Sequence, residues 1–421
     1  MKTTASRILA PFAAFAVAAS LTACGGSDEP SSSSAGTVTA WIYPVIADDK
    51  AGTAYWGQIE KDFEAANAGT DLKIELQPWL NRDEKLATAF SGGKGPDVVL
   101  LNPDQVPQYV RNGSLAPVDK VVEPAKDKFL PGAVKALTVD GKAYAAPIYH
   151  TVTTTMYNKK LLDQAGITTP PQTWDEIKAA APKLKAAGVA TLDYSASPTA
   201  TLNLNFYPLL WQAGGRVFSE DGKKAAFNQA PGVEALTFLT SLYSEGAIPK
   251  AALTNGNVIA DQPLGKQQVA MGFTNTPADA KTVATTWGAG NVIIGLPLKG
   301  EKQVGFGLPG GLSVNAASKN LAGAEKFLSF MIDPQQVVSL GSASGFLSPR
   351  TDAKVPAKDA EAEKFAAALE YAYPGEPNPA ARQVMSLLAV ELQAALTGKK
   401  TPQQALDDAA KQADDLLARQ R

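Results

Sequence analysis

The side chains that could do chemistry are unevenly supplied. One cysteine, Cys24, and one histidine, His150, stand beside 41 acidic residues in a chain of 421. A lone thiol makes no internal disulfide, and a lone imidazole without a thiol cluster makes no structural zinc site. No Gly-x-Ser-x-Gly elbow marks a nucleophile, and no Gly-x-x-x-x-Gly-Lys-Ser/Thr loop marks a phosphate cradle. An acid pair hidden among the carboxylates keeps polysaccharide cleavage open as an alternative. What remains is recognition chemistry. Trp41, Tyr43, Trp79, Tyr149, Tyr207, Trp287, Tyr371 and Tyr373 offer aromatic faces, of which about half should prove to be core. Asn102, Asn203, Asn205, Asn275 and Gln212 offer amides. The Asp104 carboxylate either accepts hydroxyl hydrogen bonds or caps the helix that follows it. Arg350 and Arg382 either face an anionic ligand or serve the structure, and His150 either lines a cleft or packs.

Cys24 has a context of its own. A basic start (Lys2, Arg7) precedes an apolar run over 8–19 and the tetrapeptide Leu21-Thr22-Ala23-Cys24. About a dozen apolar residues are too few to span roughly 30 Å of hydrocarbon, and their order is that of a targeting segment. The tetrapeptide resembles a bacterial lipobox. It implies removal of 1–23, acylation of Cys24, and a polar tether over 24–36; a plain secretory signal with an incidental cysteine is the alternative. Loss of Lys2 and Arg7 leaves 37 basic residues against 41 acidic ones, a net charge of −4 with no nucleic-acid footprint. No later run reaches the roughly 18 apolar residues of a membrane helix, so lipid alone would hold the body at the cell membrane. That places it outside the cell, or in the periplasm if there is an outer membrane.

The elements that must position these residues read as α/β. Strands are expected over 38–42, 71–76 and 98–101, with helices over 56–66 and from a capping box at Asn81 and Glu84 between them. This βαβαβ start predicts a parallel sheet. A second capping box, Thr173 to Glu176, opens a helix to Gly188 that Pro182 should kink or break. Further helices are expected over 231–245, 321–332, 359–371 and 380–396, then one from a third box at Thr401-Pro402-Gln403-Gln404. Nearly 400 mature residues exceed one core, so two lobes are expected.

Several segments taken in series resemble the extracellular solute-binding proteins of ABC importers, the family that carries sugars and oligosaccharides and includes the maltose-binding proteins. They are Gly95-Pro96-Asp97-Val98-Val99 leading to Asn112-Gly113-Ser114-Leu115; Gly141-Lys142-Ala143-Tyr144-Ala145-Ala146-Pro147, then Met156-Tyr157-Asn158-Lys159; and Pro170 to Glu176. Later come Gly265 to Met271, Gly310-Gly311-Leu312 to Ser318-Lys319-Asn320, and Gly398 to Leu406. Trp174 and Tyr157-Asn158 within them suit packing and turns better than ligand contact.

The resemblance implies a type II clamshell of two discontinuous lobes, 37–147 with about 308–340 and 148–307 with about 341–421. Crossings are expected at 147–150, at 308–312, which holds Gly310 and Gly311, and near 333–345. Ligand would sit at strand carboxyl ends, at Trp41 and Tyr43 after the first strand, Trp79 after the second, and Asn102 and Asp104 after the third. Asp104 matches the acidic residue that binds sugar hydroxyls in the family. The stretch after Met271 and the pair Met385-Ser386 depart from the family's aromatic platforms, so Tyr149, Tyr373 and others must substitute. The implied activity is capture without catalysis, as a monomer, of a small solute (a neutral sugar being favoured), with no cofactor and no metal, and delivery to membrane permease subunits. A ligand-sensing lipoprotein is a further alternative.

Overall fold

The computed structural model describes residues 36–419 apart from 94 and 257. Cys24, the targeting segment and the tether as far as residue 35 lie outside the described residues. The first three strands form as expected. Val38–Ile42 pairs in parallel with both Leu72–Leu76 and Val98–Leu101. Pro309–Asn315, far along the chain, lies antiparallel to Val98–Leu101, Leu115–Ala116 and Ala146–His150. The strands Val98–Leu101, Ala146–His150 and Pro309–Asn315 are buried throughout, which is why their sequences do not alternate. Helix Asp49–Ala66 lays Trp56, Ile59 and Phe63 into the same core, where Phe63 meets Phe327 edge to face.

A second sheet has the order Val292–Ile294, Thr154–Asn158, Val269–Asn275, Ala190–Leu192. Its core gathers Ile177, Leu184, Phe206, Leu239, Leu388 and Leu406. The capping boxes at Thr173 and at Thr401 both form, the second with Gln404 Oε1 on the Thr401 N–H at 3.1 Å. The last third is helical, ending in Ala381–Leu396 and Pro402–Arg419.

Four expectations need correction. The first helix starts at Asp49 instead of 56, because Asp48 caps it by accepting from the Ala51 N–H at 2.7 Å. Asn81 makes no capping bond ahead of Arg82–Ser91; its backbone is left-handed at φ 56°, which turns the side chain out of capping geometry. Helix Trp174–Ala186 runs unbroken through Pro182, where burial of Ile177, Ala180, Ala181 and Leu184 outweighs one missing hydrogen bond. The third crossing lies later than 333–345. Leu340 and Phe346 still pack on the first core, and Leu130 N–H donates to Pro349 O at 2.8 Å. Leu347 touches the cluster of Met156 and Trp287 on the second lobe, and by Ala360–Ala367 the chain is part of it through Phe365.

The other two crossings run side by side. Thr151 N–H donates to Leu308 O at 2.9 Å and Thr153 N–H to Phe306 O at 2.8 Å. They lie just beyond His150 and just before Pro309, a few residues from the expected positions.

Candidate functional site

On the first lobe the residues after the strands build a wall. Trp79 Nε1–H donates to Pro44 O at 2.9 Å, and this holds the indole stacked on Tyr43 with ring centroids 5.0 Å apart. The Arg82 guanidinium lies 5.2 Å from the Tyr43 ring and 5.0 Å from that of Trp79. Tyr43 is buried, whereas Trp79 is 45% exposed. Trp41 is engaged elsewhere, donating to Glu75 at 3.0 Å under the Lys85 ammonium.

Asp104 is not a cap. Helix Val106–Arg111 has no side-chain cap, and the turn before it is closed by Gln105 Oε1, which accepts from the Asn102 N–H at 3.1 Å. The Asp104 carboxylate points at the second lobe. Its Oδ2 accepts from Asn203 Nδ2 at 3.0 Å and lies 3.2 Å from Arg382 Nε, while its buried Oδ1 has no hydrogen-bond partner. Arg382 Nε also lies 3.5 Å from Asp83, which in turn accepts from Gln105. Arg82, Asp83, Asp104 and Arg382 together carry no net charge.

The second lobe adds aromatic surface beside this seam. Tyr207 hydroxyl and Trp211 Nε1 are buried without hydrogen-bond partners. Burial pushes the Tyr207 phenol far above its usual range, and the nearby Glu376 and Asp104 charges push the same way against Arg382. Trp211 stacks on Phe306 at 6.4 Å and takes the edge of Tyr373 at 4.9 Å. Tyr373 donates to Glu376 at 3.2 Å, a carboxyl that burial raises above its usual range.

Other candidates serve the frame. Gly310 leaves room for Tyr149: a Cβ there would lie 2.0 Å from the ring's Cζ. At Gly311 a Cβ would meet Leu137 at 2.6 Å. His150 Nδ1 contacts Thr151 O at 2.9 Å, and burial lowers its pKa to about 4, so the ring is neutral. Gln212 ties Trp174 to Val304, Trp287 donates to Gly265 O, and Arg350 is held by Asp352 and Ile332 O. Asn205 donates to Thr201 O, while Asn275, which lines a small cavity, keeps a buried, unpartnered Oδ1.

Sequence reasoning missed Arg82, Asp83, Trp211, Glu376 and Asp193. Arg82 and Asp83 stand just after Trp79 and were within reach of the strand-end rule, as was Asp193 once 190–192 is read as a strand. Trp211 carries no signal that separates it from a core residue. Among the described residues no three His, Cys, Asp or Glu side chains converge as metal ligands, and no helix is long and apolar enough to cross a membrane.

Two α/β lobes, adjacent crossing strands and a polar seam at strand carboxyl ends define the type II clamshell of solute-binding proteins. The chain belongs to the bacterial extracellular solute-binding protein family, whose pattern matches residues 46–338. The diacetylchitobiose binding protein DasA of Streptomyces coelicolor is 30% identical over 345 residues, 78% of each chain. The GacH receptor of Streptomyces glaucescens, solved unliganded and with acarbose, superposes with a TM-score of 0.78 at 25% identity, covering 91% of this chain and 98% of that one. A solute-binding protein of Thermotoga lettingae bound with α-D-tagatose has the same fold, with a TM-score of 0.79 at 24% identity over 90% and 99% of the two chains.

Proposed function

We propose that this protein is the non-catalytic capture component of an ABC importer and that its solute is a carbohydrate gripped between the lobes. One observation carries the reading: buried polar atoms without partners stand on both lobes at the seam, Asp104 Oδ1 on the first, and on the second the Tyr207 hydroxyl, which feels the Asp104 charge, and Trp211 Nε1 on the ring beside Tyr207. An acceptor, a donor and a hydroxyl that is both match sugar hydroxyls, which donate and accept. The rings of Trp211, Tyr373 and Trp79 match the C–H faces of a sugar. The balanced charges of the seam suit a neutral ring. The sugars named for the relatives from Streptomyces support the same class of ligand.

Capture would bring the lobes together and present the closed form to membrane permease subunits powered by a separate ATPase. Acylated Cys24 would keep the body at the cell surface; Cys24→Ala should send the protein into the medium with solute binding intact. Calorimetry against a panel of mono- and oligosaccharides tests the central reading. One ligand should bind and raise the melting temperature without being altered; chemical turnover of that ligand would sink the transport reading.

A further inference from the structure

A second feature of the same cleft has a chemistry of its own. The strand Ala190–Leu192 ends opposite Met271 of its parallel neighbour Val269–Asn275, and where that neighbour runs on past it lies a cavity of about 40 Å³. That is room for one small polar group. Its wall includes Leu204 and Asn205, the residues next to the Asn203 that bonds Asp104, so the cavity adjoins the interlobe seam.

The wall is rich in acceptors. Ser195, Asn205, Gln262 and Thr274 each donate a side-chain hydrogen to a backbone carbonyl: those of Asn255, Thr201, Gly256 and Leu204. Two acceptors are left over. Asp193 Oδ1 and Asn275 Oδ1 are buried without partners, on residues each only 7% exposed. The position of the second is built in, because a Cβ on Gly272 would sit 2.2 Å from Asn275 Oδ1. Among the described lining residues there are two carboxylates, Asp193 and Asp279, and no lysine or arginine. Asp279 Oδ2 is already engaged by the Thr276 N–H and hydroxyl.

A sugar hydroxyl has one hydrogen and can satisfy one of the two orphans. A water has two, and a primary ammonium has three and brings the charge that the wall lacks. Tyr194 and Phe273 also line the cavity, their rings parallel to within 5° with centroids 6.5 Å apart, and aromatic rings near a ligand favour a cation over a neutral group. We infer that this cavity is a subsite for a protonated primary amine, so that the solute is an amino sugar whose ring lies in the seam and whose ammonium reaches Asp193 and Asn275. The inference rests on the carbohydrate reading of the cleft. Burial raises the Asp193 carboxyl to about 7 against the opposing pull of the Leu264 and Tyr194 backbone N–H groups, the behaviour of a carboxylate without a cation beside it. Asp279 and Tyr194 are the other titratable groups lining the cavity.

The test is calorimetry on the full chain at pH 7.5 with matched pairs: glucosamine and glucose, galactosamine and galactose, the β-1,4 disaccharide of glucosamine and cellobiose. In at least one pair the amino sugar should bind on the order of tenfold more tightly than its partner. Asp193→Asn should bring that ratio close to one. This variant should fold, since the amide keeps the size and shape of the carboxyl; Asn275→Ser, a second variant, should shrink the ratio as well. If the hydroxyl sugars bind and no amine improves on them, or if the preference survives Asp193→Asn, the cavity holds only water and the amine subsite is overturned while the cleft stands. If no sugar of either kind binds, the carbohydrate reading fails and takes the subsite with it.

Discussion

Asp104 shows how a single residue can be legible in position and ambiguous in role. The sequence places it three residues past the strand end at Leu101, in the turn before a helix, where cap and ligand-binding carboxylate look alike. Only the tertiary contacts to Asn203 and Arg382 separate them, and these lie 99 residues and more away in the chain. Asp104→Ala should therefore weaken solute binding by about 1 to 3 kcal/mol, measured by calorimetry, with little change in the unfolding midpoint of the free protein. A loss of stability at constant affinity would return it to a structural role. His150 makes the opposite case, a chemically active residue used for packing. Its folded pKa of about 4 lies below the ordinary value of 6.5, so the native state resists protonation. The stability tied to the neutral ring is complete above about pH 6.5 and is lost as pH falls from there towards 4. Between pH 7.5 and pH 5 this amounts to about 2 kcal/mol, and the urea-unfolding difference between wild type and His150→Gln should change by that amount. A pH-independent difference would refute the assignment.

At the scale of elements, what could be read was what local sequence determines. The Thr173 and Thr401 caps, the parallel start and the apolar run Val98–Leu101 all rest on residues within a few positions of each other. Asn81 fitted the same pattern and failed because its backbone is left-handed, and Pro182 failed to break its helix because packing won; neither is visible in a capping or propensity rule. The hinge strands sit between these cases. Gly310 and Gly311 stand out in the sequence, yet their reason is the close approach of Tyr149 from the neighbouring crossing and of Leu137 from the end of helix Pro131–Ala136. Gly310→Ala should cost about 1 to 3 kcal/mol in urea unfolding, because the fixed strand cannot move away from a ring 2.0 Å from the new Cβ. Tyr149→Leu in the same chain should recover part of that cost, and strict additivity of the two substitutions would argue against a direct clash.

For the whole molecule, the decisive group is Arg382, because its charge belongs to one lobe and its partners to the other. It follows the crossing segments late in the chain, on helix Ala381–Leu396, and reaches Asp83 in the first turn of helix Arg82–Ser91 and Asp104 in the turn before Val106–Arg111, both on the first lobe. In an open clamshell all three would be hydrated separately; closure replaces that water with two ion pairs at 3.5 and 3.2 Å. Removing Arg382 leaves the buried Asp104 carboxylate without its ion-pair partner and Asp83 with Arg82 alone, at 3.7 Å, a cost typically of about 3 to 5 kcal/mol that falls only on the closed form. Arg382→Met keeps the stem's packing and removes the charge, so it should shift the balance towards the open form. A protein that must first reach a rarer closed state binds more weakly by that fraction, and the added cost should appear mainly as faster solute release. Small-angle scattering of the free variant should give a larger radius of gyration than wild type, with saturating solute restoring the compact value. If the radius and the release rate both stay as in wild type, Arg382 is a bystander to closure, and the seam's charges only line the ligand.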